Sequence, residues 1–170
     1  MQNERNYIDI SIDLCDEKEI DWVNQQYQKL NFKPSELQRD HVAIAKYHTK
    51  PVALGRLCRV EKSAFELGGM YVQEAFRGMG IARQLIQFLL GRKDFLSRVY
   101  CLPFIHLQSF YESEGFREVS AKDLAKVPLE ILDKHSWCNE TYPYEVLLLE
   151  LDEIKEGTSS KVARLHLNRS

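Results

Sequence analysis

Apolar residues recur along the first half of the chain with two different periods. Residues 7–14 alternate apolar and polar side chains, which is the period of a strand with one buried face. Residues 20–30 carry apolar side chains at helical intervals, and Asp16 and Glu19 precede them at the spacing of a capping box. The pattern then predicts three more strands, the first two as a hairpin: residues 41–47, 51–60 and 65–73.

The second half of the chain alternates helices and strands. A helix is predicted over residues 80–90, with Gly91 as its C-terminal cap. The later elements are a strand at 98–102, a helix at 104–114, a strand at 116–120, a helix at 122–134 disturbed by Pro128, and a buried strand at 144–151. This order implies one α/β domain with a mixed sheet, covering residues 1–152. Residues 153–170 form a polar tail with the composition typical of disorder.

Composition excludes several classes of partner. The 170 residues carry a net charge of -2 with both signs interspersed, so no basic face for nucleic acid is expected. No apolar run approaches the ~20 residues that a membrane helix needs, and the first residues lack the pattern of a secretion signal. Four widely spaced cysteines favour reduced thiols in the cytoplasm. His135 and Cys138 stand three apart, but no second pair has metal spacing, so no metal site is expected.

A glycine-rich turn separates the strand at 65–73 from the helix at 80–90. It consists of Arg77, Gly78, Met79, Gly80, Ile81 and Ala82. Small residues let a ligand approach the backbone, and the unpaired N–H groups at a helix start attract an anion. The alternative is a tight connection that needs glycine for its backbone angles alone. No Gly-Lys-Ser or Gly-Lys-Thr follows, which excludes a P-loop, and the third glycine of a dinucleotide-binding turn is replaced by Arg83.

This turn resembles the pyrophosphate motif of the GNAT superfamily of acyl-CoA-dependent N-acyltransferases. That motif has Arg or Gln, two residues, Gly, one residue, then Gly or Ala, and residues 77–82 satisfy every position. Residues 110–116, "FYESEGF", resemble a later signature of the same family. The resemblance covers roughly residues 7–151. It implies a GNAT-like mixed, mostly antiparallel central sheet with helices on both faces, and acetyl-CoA as co-substrate.

The resemblance also implies a binding site. A strand formed by Met70, Tyr71 and Val72 would pair with pantetheine, while the N–H groups from Gly78 to Ala82 would hold the pyrophosphate. Arg77 and Arg83 are candidates for phosphate contact, and either is equally a candidate surface arginine. The preceding Gly68 and Gly69 indicate a bulge or splay in this strand, or alternatively close packing against a helix.

Two catalytic residues follow from the same resemblance. Tyr111 matches the general acid that protonates the departing thiolate, and Glu66 matches a candidate general base for the amine. A backbone N–H near Tyr71 would stabilise the oxyanion. The chain departs from the family in two places: the strand at 98–102 has no carboxylate, and Phe104 replaces a frequent asparagine whose CoA contact His106 or Gln108 would have to make.

These observations predict an N-acetyltransferase that uses direct attack by a primary amine on a small molecule or a peptide. The acceptor is expected between "NFKPSELQRD" and "KHSWCNETYPYE", where Trp137, Glu140, Tyr142 and Tyr144 offer aromatic walls and a carboxylate. A catalytically silent CoA-binding regulatory module is the main alternative, and a phosphate-binding module unrelated to acyl transfer is a weaker one. A homodimer is compatible with the sequence, which does not specify acyl length or the acceptor.

Overall fold

Seven strands and four helices make up the computed structural model, which describes residues 9–92 and 97–152. The strands are β1 (Ile10–Leu14), β2 (Asp40–Tyr47), β3 (Lys50–Glu61), β4 (Ala64–Val72), β5 (Arg98–Cys101), β6 (Phe116–Glu118) and β7 (Leu149–Leu151). The helices are α1 (Ile20–Lys29), α2 (Ile81–Leu90), α3 (Gln108–Ser113) and α4 (Leu129–Thr141). The sheet order is β1-β2-β3-β4-β5-β7-β6, and β4 and β5 are parallel while the other described pairs are antiparallel. The predicted mixed, mostly antiparallel sheet is therefore confirmed.

The capping box predicted before α1 is formed. The Glu19 N–H donates to Asp16 Oδ1 at 3.1 Å, and the Asp16 N–H donates to Glu19 Oε2 at 3.2 Å. This turn aims the helix so that Val23 and Tyr27 are fully buried against β2 and β3. A local sequence signal thus orients a long-range packing surface.

Alternation along the strands divides the core between the two faces of the sheet. One face packs α2 and Tyr111 against residues such as Ala43, Phe65 and Val99. The opposite face packs α1 over β2 and β3, and α4 over Ala64 and Tyr100. The helices therefore lie on both faces, as predicted.

The last third of the chain differs from the sequence prediction. The helix predicted at 122–134 is a short 3₁₀ turn, Leu124–Lys126, followed by α4, which starts after Pro128 and continues to Thr141. Proline is favoured at a helix start, since it lacks the N–H that an interior position would need. Trp137 and Glu140, predicted in a loop, consequently lie on α4.

The final strand is also shorter than predicted. Only β7 joins the ladder, preceded by a single bridge between Phe104 and Val146. β5 ends two residues before Pro103, which has no N–H, and there the Leu147 N–H donates to the Pro103 carbonyl instead. The predicted start of β1 before residue 9 and the polar tail at 153–170 lie outside the described residues.

Candidate active site

An opening in the middle of the sheet follows from unequal strand lengths. The parallel pairing of β4 with β5 covers Ala64 to Leu67 and ends at the pair Leu67–Cys101. β4 continues for five more residues to Val72, paired with β3 on its other side. Within the described residues, the edge of β4 facing β5 is therefore open from Gly68 onward, and it leads directly into the glycine turn.

A β-bulge lies at the start of this open edge. The register of β3 against β4 runs Leu54–Tyr71 and then Arg56–Gly68, so two residues of β4, Gly69 and Met70, face one residue of β3. Gly69 has a positive φ of 61°, a conformation that glycine adopts without strain. The bulge predicted from Gly68 and Gly69 is confirmed, and Tyr27 of α1 also packs closely against Gly69.

Tyr27 and Arg56 hold the bulge from the α1 side. The fully buried Tyr27 hydroxyl donates to the Gly69 carbonyl at 3.1 Å, and a Cβ on Gly69 would lie 2.7 Å from that hydroxyl oxygen. The Arg56 guanidinium lies 4.3 Å from the centre of the Tyr27 ring and donates to the Lys33 carbonyl at 2.8 Å and to Ser35 Oγ at 2.7 Å. The loop after α1 is thus connected to the bulge, a contact that sequence reasoning missed.

The direction of the β4 N–H groups follows from the ladder. The Gln73 N–H donates to the Val52 carbonyl of β3 at 2.9 Å. Since N–H groups alternate between the two edges of a regular strand, that of Val72 faces the open edge while that of Tyr71 faces β3, and the bulge interrupts this alternation at Gly69 and Met70. The Tyr71 side chain packs with the α1 core and the Met70 side chain with the α2 core.

The glycine turn lines one end of a cleft of about 310 Å³. Gly78 and Gly80 have φ values of 75° and 79°, and a Cβ at either position would meet no protein atom within 4 Å. Gly80 is also the N-cap of α2, so the unpaired N–H groups of the first helical turn open into the cleft. The lining residues are Val72, Phe76, Arg77, Gly78, Gly80, Ile81, Ala82, Arg83 and Phe110. Of the predicted binding residues, Met70, Tyr71 and Met79 are not in this lining.

The two arginines of the turn have different partners. Arg77 Nε donates to the Val72 carbonyl at 3.0 Å, which holds the side chain across the end of β4. Arg83 forms an ion pair with Glu114 at 2.6 Å and donates to Ser113 Oγ at 3.1 Å, so α3 neutralises much of its charge. Arg77 is therefore the better placed of the two for an anion in the cleft.

Tyr111 lies on α3, on the α2 side of the sheet. Its ring packs edge-on against Phe110 and Phe116 at centroid distances of 5.2 Å and 5.9 Å. Burial, followed by the neighbouring Cys101, raises the pKa of the Tyr111 hydroxyl above its ordinary value. The group therefore keeps its proton at neutral pH, as a proton donor must. Burial also raises the pKa of Cys101 well above the usual thiol range, which favours its interpretation as a core residue.

Glu66 lies on the opposite face of the sheet, toward α4. Its Oε1 accepts a hydrogen bond from Lys134 Nζ at 2.5 Å, and its side chain is 12% exposed. The same oxygen lies 3.4 Å from the position of a Cβ on Gly68, so the carboxylate leans toward the start of the open edge. The candidate acid and base thus approach the opening in the sheet from its two faces. Sequence reasoning found Glu66 and missed Lys134.

An aromatic cluster occupies the far side of the opening. Phe104, which replaces the family's asparagine, stacks on His106 at 5.8 Å and meets the edges of Tyr142 and Tyr144. Tyr142 in turn meets Trp137, whose side chain is half exposed. The amide of Gln108 donates to Glu112 and Glu118, so Gln108 is held away from the cleft.

A family comparison agrees with this geometry. Residues 38–118, which contain β2 to β6, match the acetyltransferase (GNAT) domain. This match and the fold support the GNAT superfamily. This confirms the family resemblance and the class of acyl-CoA-dependent N-acetyltransferase. No curated protein sequence matches the chain significantly.

Solved structures with the same fold include a GNAT-family acetyltransferase and two proteins in complex with CoA or a CoA-containing analogue. An acetyltransferase of the GNAT family from Staphylococcus aureus is 16% identical, with 86% of this chain and 100% of that chain covered and a TM-score of 0.58. Naa50 from Arabidopsis thaliana, in complex with the bisubstrate analogue CoA-Ac-MVNAL, is 13% identical (84% and 98% covered, TM-score 0.60). Rv2747 from Mycobacterium tuberculosis, in complex with CoA and NLQ, is 17% identical (83% and 98% covered, TM-score 0.61). These likenesses show the GNAT fold.

The part of the chain that the structure describes contains neither a candidate metal-binding group nor a candidate membrane-spanning helix. Across residues 9–92 and 97–152, no three His, Cys, Asp or Glu side chains are grouped so that they could bind a metal ion. In the same ranges, the helices are too short or too polar to span a bilayer. His135 instead bonds the Val146 carbonyl through Nε2 at 2.7 Å, and Cys138 is buried.

Proposed function

We propose that this GNAT chain transfers an acetyl group from acetyl-CoA to a primary amine by direct attack. The observation that carries the proposal is the continuity of the open β4 edge with the glycine turn. The open edge of β4 up to Val72 and the N–H groups at the start of α2 thus lie along one path, with Tyr111 on one face of the sheet and Glu66 on the other.

The path suits an extended, polar chain that ends in a pyrophosphate. The Met70 and Val72 backbone pairs with the pantetheine amides as an added strand would. The N–H groups from Gly78 to Ala82, at the positive end of α2, donate hydrogen bonds to the pyrophosphate together with Arg77. Two structures of the same fold are complexes with CoA or a CoA-containing analogue, which supports CoA as the ligand.

The chain's own residues then divide the chemistry. The open-edge N–H groups of β4 stabilise the oxyanion that forms when an amine attacks the thioester carbonyl. Tyr111 donates its proton to the departing thiolate. Glu66 accepts a proton from the amine, directly or through a water molecule, and for this its ion pair with Lys134 must open.

The acceptor is proposed to be an amine on a peptide or a small molecule. The names of two structural neighbours give the acceptor-like ligands of those proteins as CoA-Ac-MVNAL and NLQ. In this chain the aromatic cluster around Phe104 and Tyr144 offers a surface for an apolar or cationic group next to the amine. A cytoplasmic location is proposed because all four cysteines are free. A homodimer stays a prediction.

Thiol release from acetyl-CoA, measured over a panel of peptides, polyamines and amino acids, tests the proposal. Release with at least one amine, together with acetylated product by mass spectrometry, is expected. Acetyl-CoA binding without release on any amine would support the catalytically silent module instead. Absence of both binding and release would overturn the proposal.

A further inference from the structure

Lys134 is the amine that the fold itself brings to the candidate base. Its Nζ lies 2.5 Å from Glu66 Oε1, although the two residues are 68 positions apart in the chain. The Lys134 side chain is 46% exposed, so it is not confined by the core. The other ion-paired lysines, Lys46 and Lys126, bind Glu19 and Asp123, which lie outside the opening in the sheet.

Glu66 places this ammonium near the path proposed for the thioester. The Glu66 carboxylate leans over Gly68, where the pairing of β4 with β5 has just ended. The open edge of β4 continues from there to Val72. A lysine side chain has four methylene groups and rotates freely once its ion pair opens, so Lys134 Nζ can turn from Glu66 toward this open edge.

We propose that Lys134 is an acetylation site of this enzyme and that the chain modifies it in cis. This inference rests on the proposed acetyltransferase function. Glu66 takes one proton from the Lys134 ammonium, and the freed Nζ attacks the thioester carbonyl. A C–N bond forms and the C–S bond breaks, and Tyr111 protonates the leaving thiolate. The second proton that the nitrogen loses returns to Tyr111, and Glu66 releases its proton to water. The products are an amide on Lys134 and free CoA.

The modification changes the site itself. An acetylated Lys134 carries no positive charge and no longer forms an ion pair with Glu66. The carboxylate is then available to an external ammonium. Before acetylation the Lys134 ammonium occupies the acceptor position beside Glu66, and after acetylation that position is open to an external amine.

Peptide mass spectrometry after incubation with acetyl-CoA tests the inference, and Lys126 is a matched internal control. Lys126 is also ion-paired, at 3.0 Å from Asp123, and similarly exposed at 56%, so it reports uncatalysed acetylation. Acetylation of Lys134 should be about a hundredfold faster or more, which is the usual contribution of acid–base catalysis. Its first-order rate should be independent of protein concentration, and Tyr111→Phe should slow it without affecting Lys126.

Three results would overturn the inference: equal rates at Lys134 and Lys126, a Lys134 rate that rises with protein concentration, or a Lys134 rate unaffected by Tyr111→Phe. Lys134→Arg keeps the cation and removes the nucleophile, so it should abolish acetylation at position 134 and leave that of Lys126 unchanged. The amine panel, run on the same preparation, separates two failures. Turnover on a panel amine without Lys134 acetylation overturns the inference alone, whereas absence of acetyl-CoA binding and turnover overturns the proposed function as well.

Discussion

At the scale of single residues, the candidate site depends on two groups with opposite requirements. Tyr111 has to hold its proton until the thiolate leaves, and its burial among aromatic rings raises its pKa in that direction. Glu66 has to accept a proton, yet it is paired with Lys134. The two residues therefore predict different kinetic defects when they are changed.

Tyr111→Phe removes the proton donor and keeps the ring that packs against Phe110 and Phe116. We expect the kcat to fall by about a hundredfold or more, because a positioned general acid contributes that much. The KM for acetyl-CoA should stay close to that of the wild type. Steady-state thiol release at pH 8 measures both constants, and an unchanged kcat would remove Tyr111 as the acid.

Glu66→Gln keeps the size of the side chain and removes its basicity. The rate should fall by about a hundredfold, and the rising limb of the pH–rate profile should move, because the amine then loses its proton acceptor. Glu61→Gln, at the exposed end of β3, is the control and should leave the profile as it is. A profile that Glu66→Gln does not move would assign the base to water or to another residue.

At the scale of elements, the β4 bulge determines where the open edge begins. Its two glycines could be interpreted from the sequence because glycine within a strand pattern is a local signal. The hydroxyl that holds it could not, since Tyr27 is 42 residues away from Gly69. The ion pair of the candidate base was missed for the same reason, since Lys134 is 68 residues away from Glu66. The last strand was predicted too long for a similar reason, because the backbone partner of Leu147 is the distant Pro103.

Tyr27→Phe tests the bulge directly. The variant leaves the Gly69 carbonyl without its donor, which should lower the free energy of unfolding by about 1 kcal/mol. Acetyl-CoA affinity should fall by about tenfold, or 1.4 kcal/mol, as the open edge loses its fixed geometry.

Val23→Ala is the matched control for Tyr27→Phe. It removes buried packing one helical turn earlier on α1 and does not touch the bulge. It should therefore lower stability as much or more while acetyl-CoA affinity stays the same. Isothermal titration measures the acetyl-CoA affinity of both variants, and thermal unfolding measures their stability. Equal affinities in the two variants would mean that Tyr27 has only a structural function.

At the scale of the whole molecule, buried thiols connect stability to pH. Burial, the largest cause in each case, raises the pKa of Cys15 to about 11 and that of Cys58 to about 12. An unfolded thiol loses its proton near pH ~8.5. The unfolded chain therefore releases protons first as the pH rises, and the folded state becomes less stable above that pH.

The expected result is a Tm that is constant up to about pH 8 and falls between about pH 8.5 and 10.5. Differential scanning calorimetry across that range measures it, with Cys58→Ala as a variant whose Tm should fall less steeply. A Tm that stays constant to pH ~10.5 would show that the thiols do not contribute in this way.

The proposed function requires that the glycine turn binds acetyl-CoA, and calorimetric titration of acetyl-CoA measures this binding. Gly80→Ala and Gly115→Ala both place a side chain at a positive φ, 79° and 94°, and should each cost roughly 1–2 kcal/mol of stability. Only Gly80 has its Cβ position in the open cleft, since that of Gly115 contacts Leu151 at 3.5 Å. We expect the wild type and Gly115→Ala to bind acetyl-CoA more tightly than ATP or NAD, and Gly80→Ala not to bind it. Acetyl-CoA binding retained by Gly80→Ala, or absent from the wild type, would show that the turn is not a CoA site.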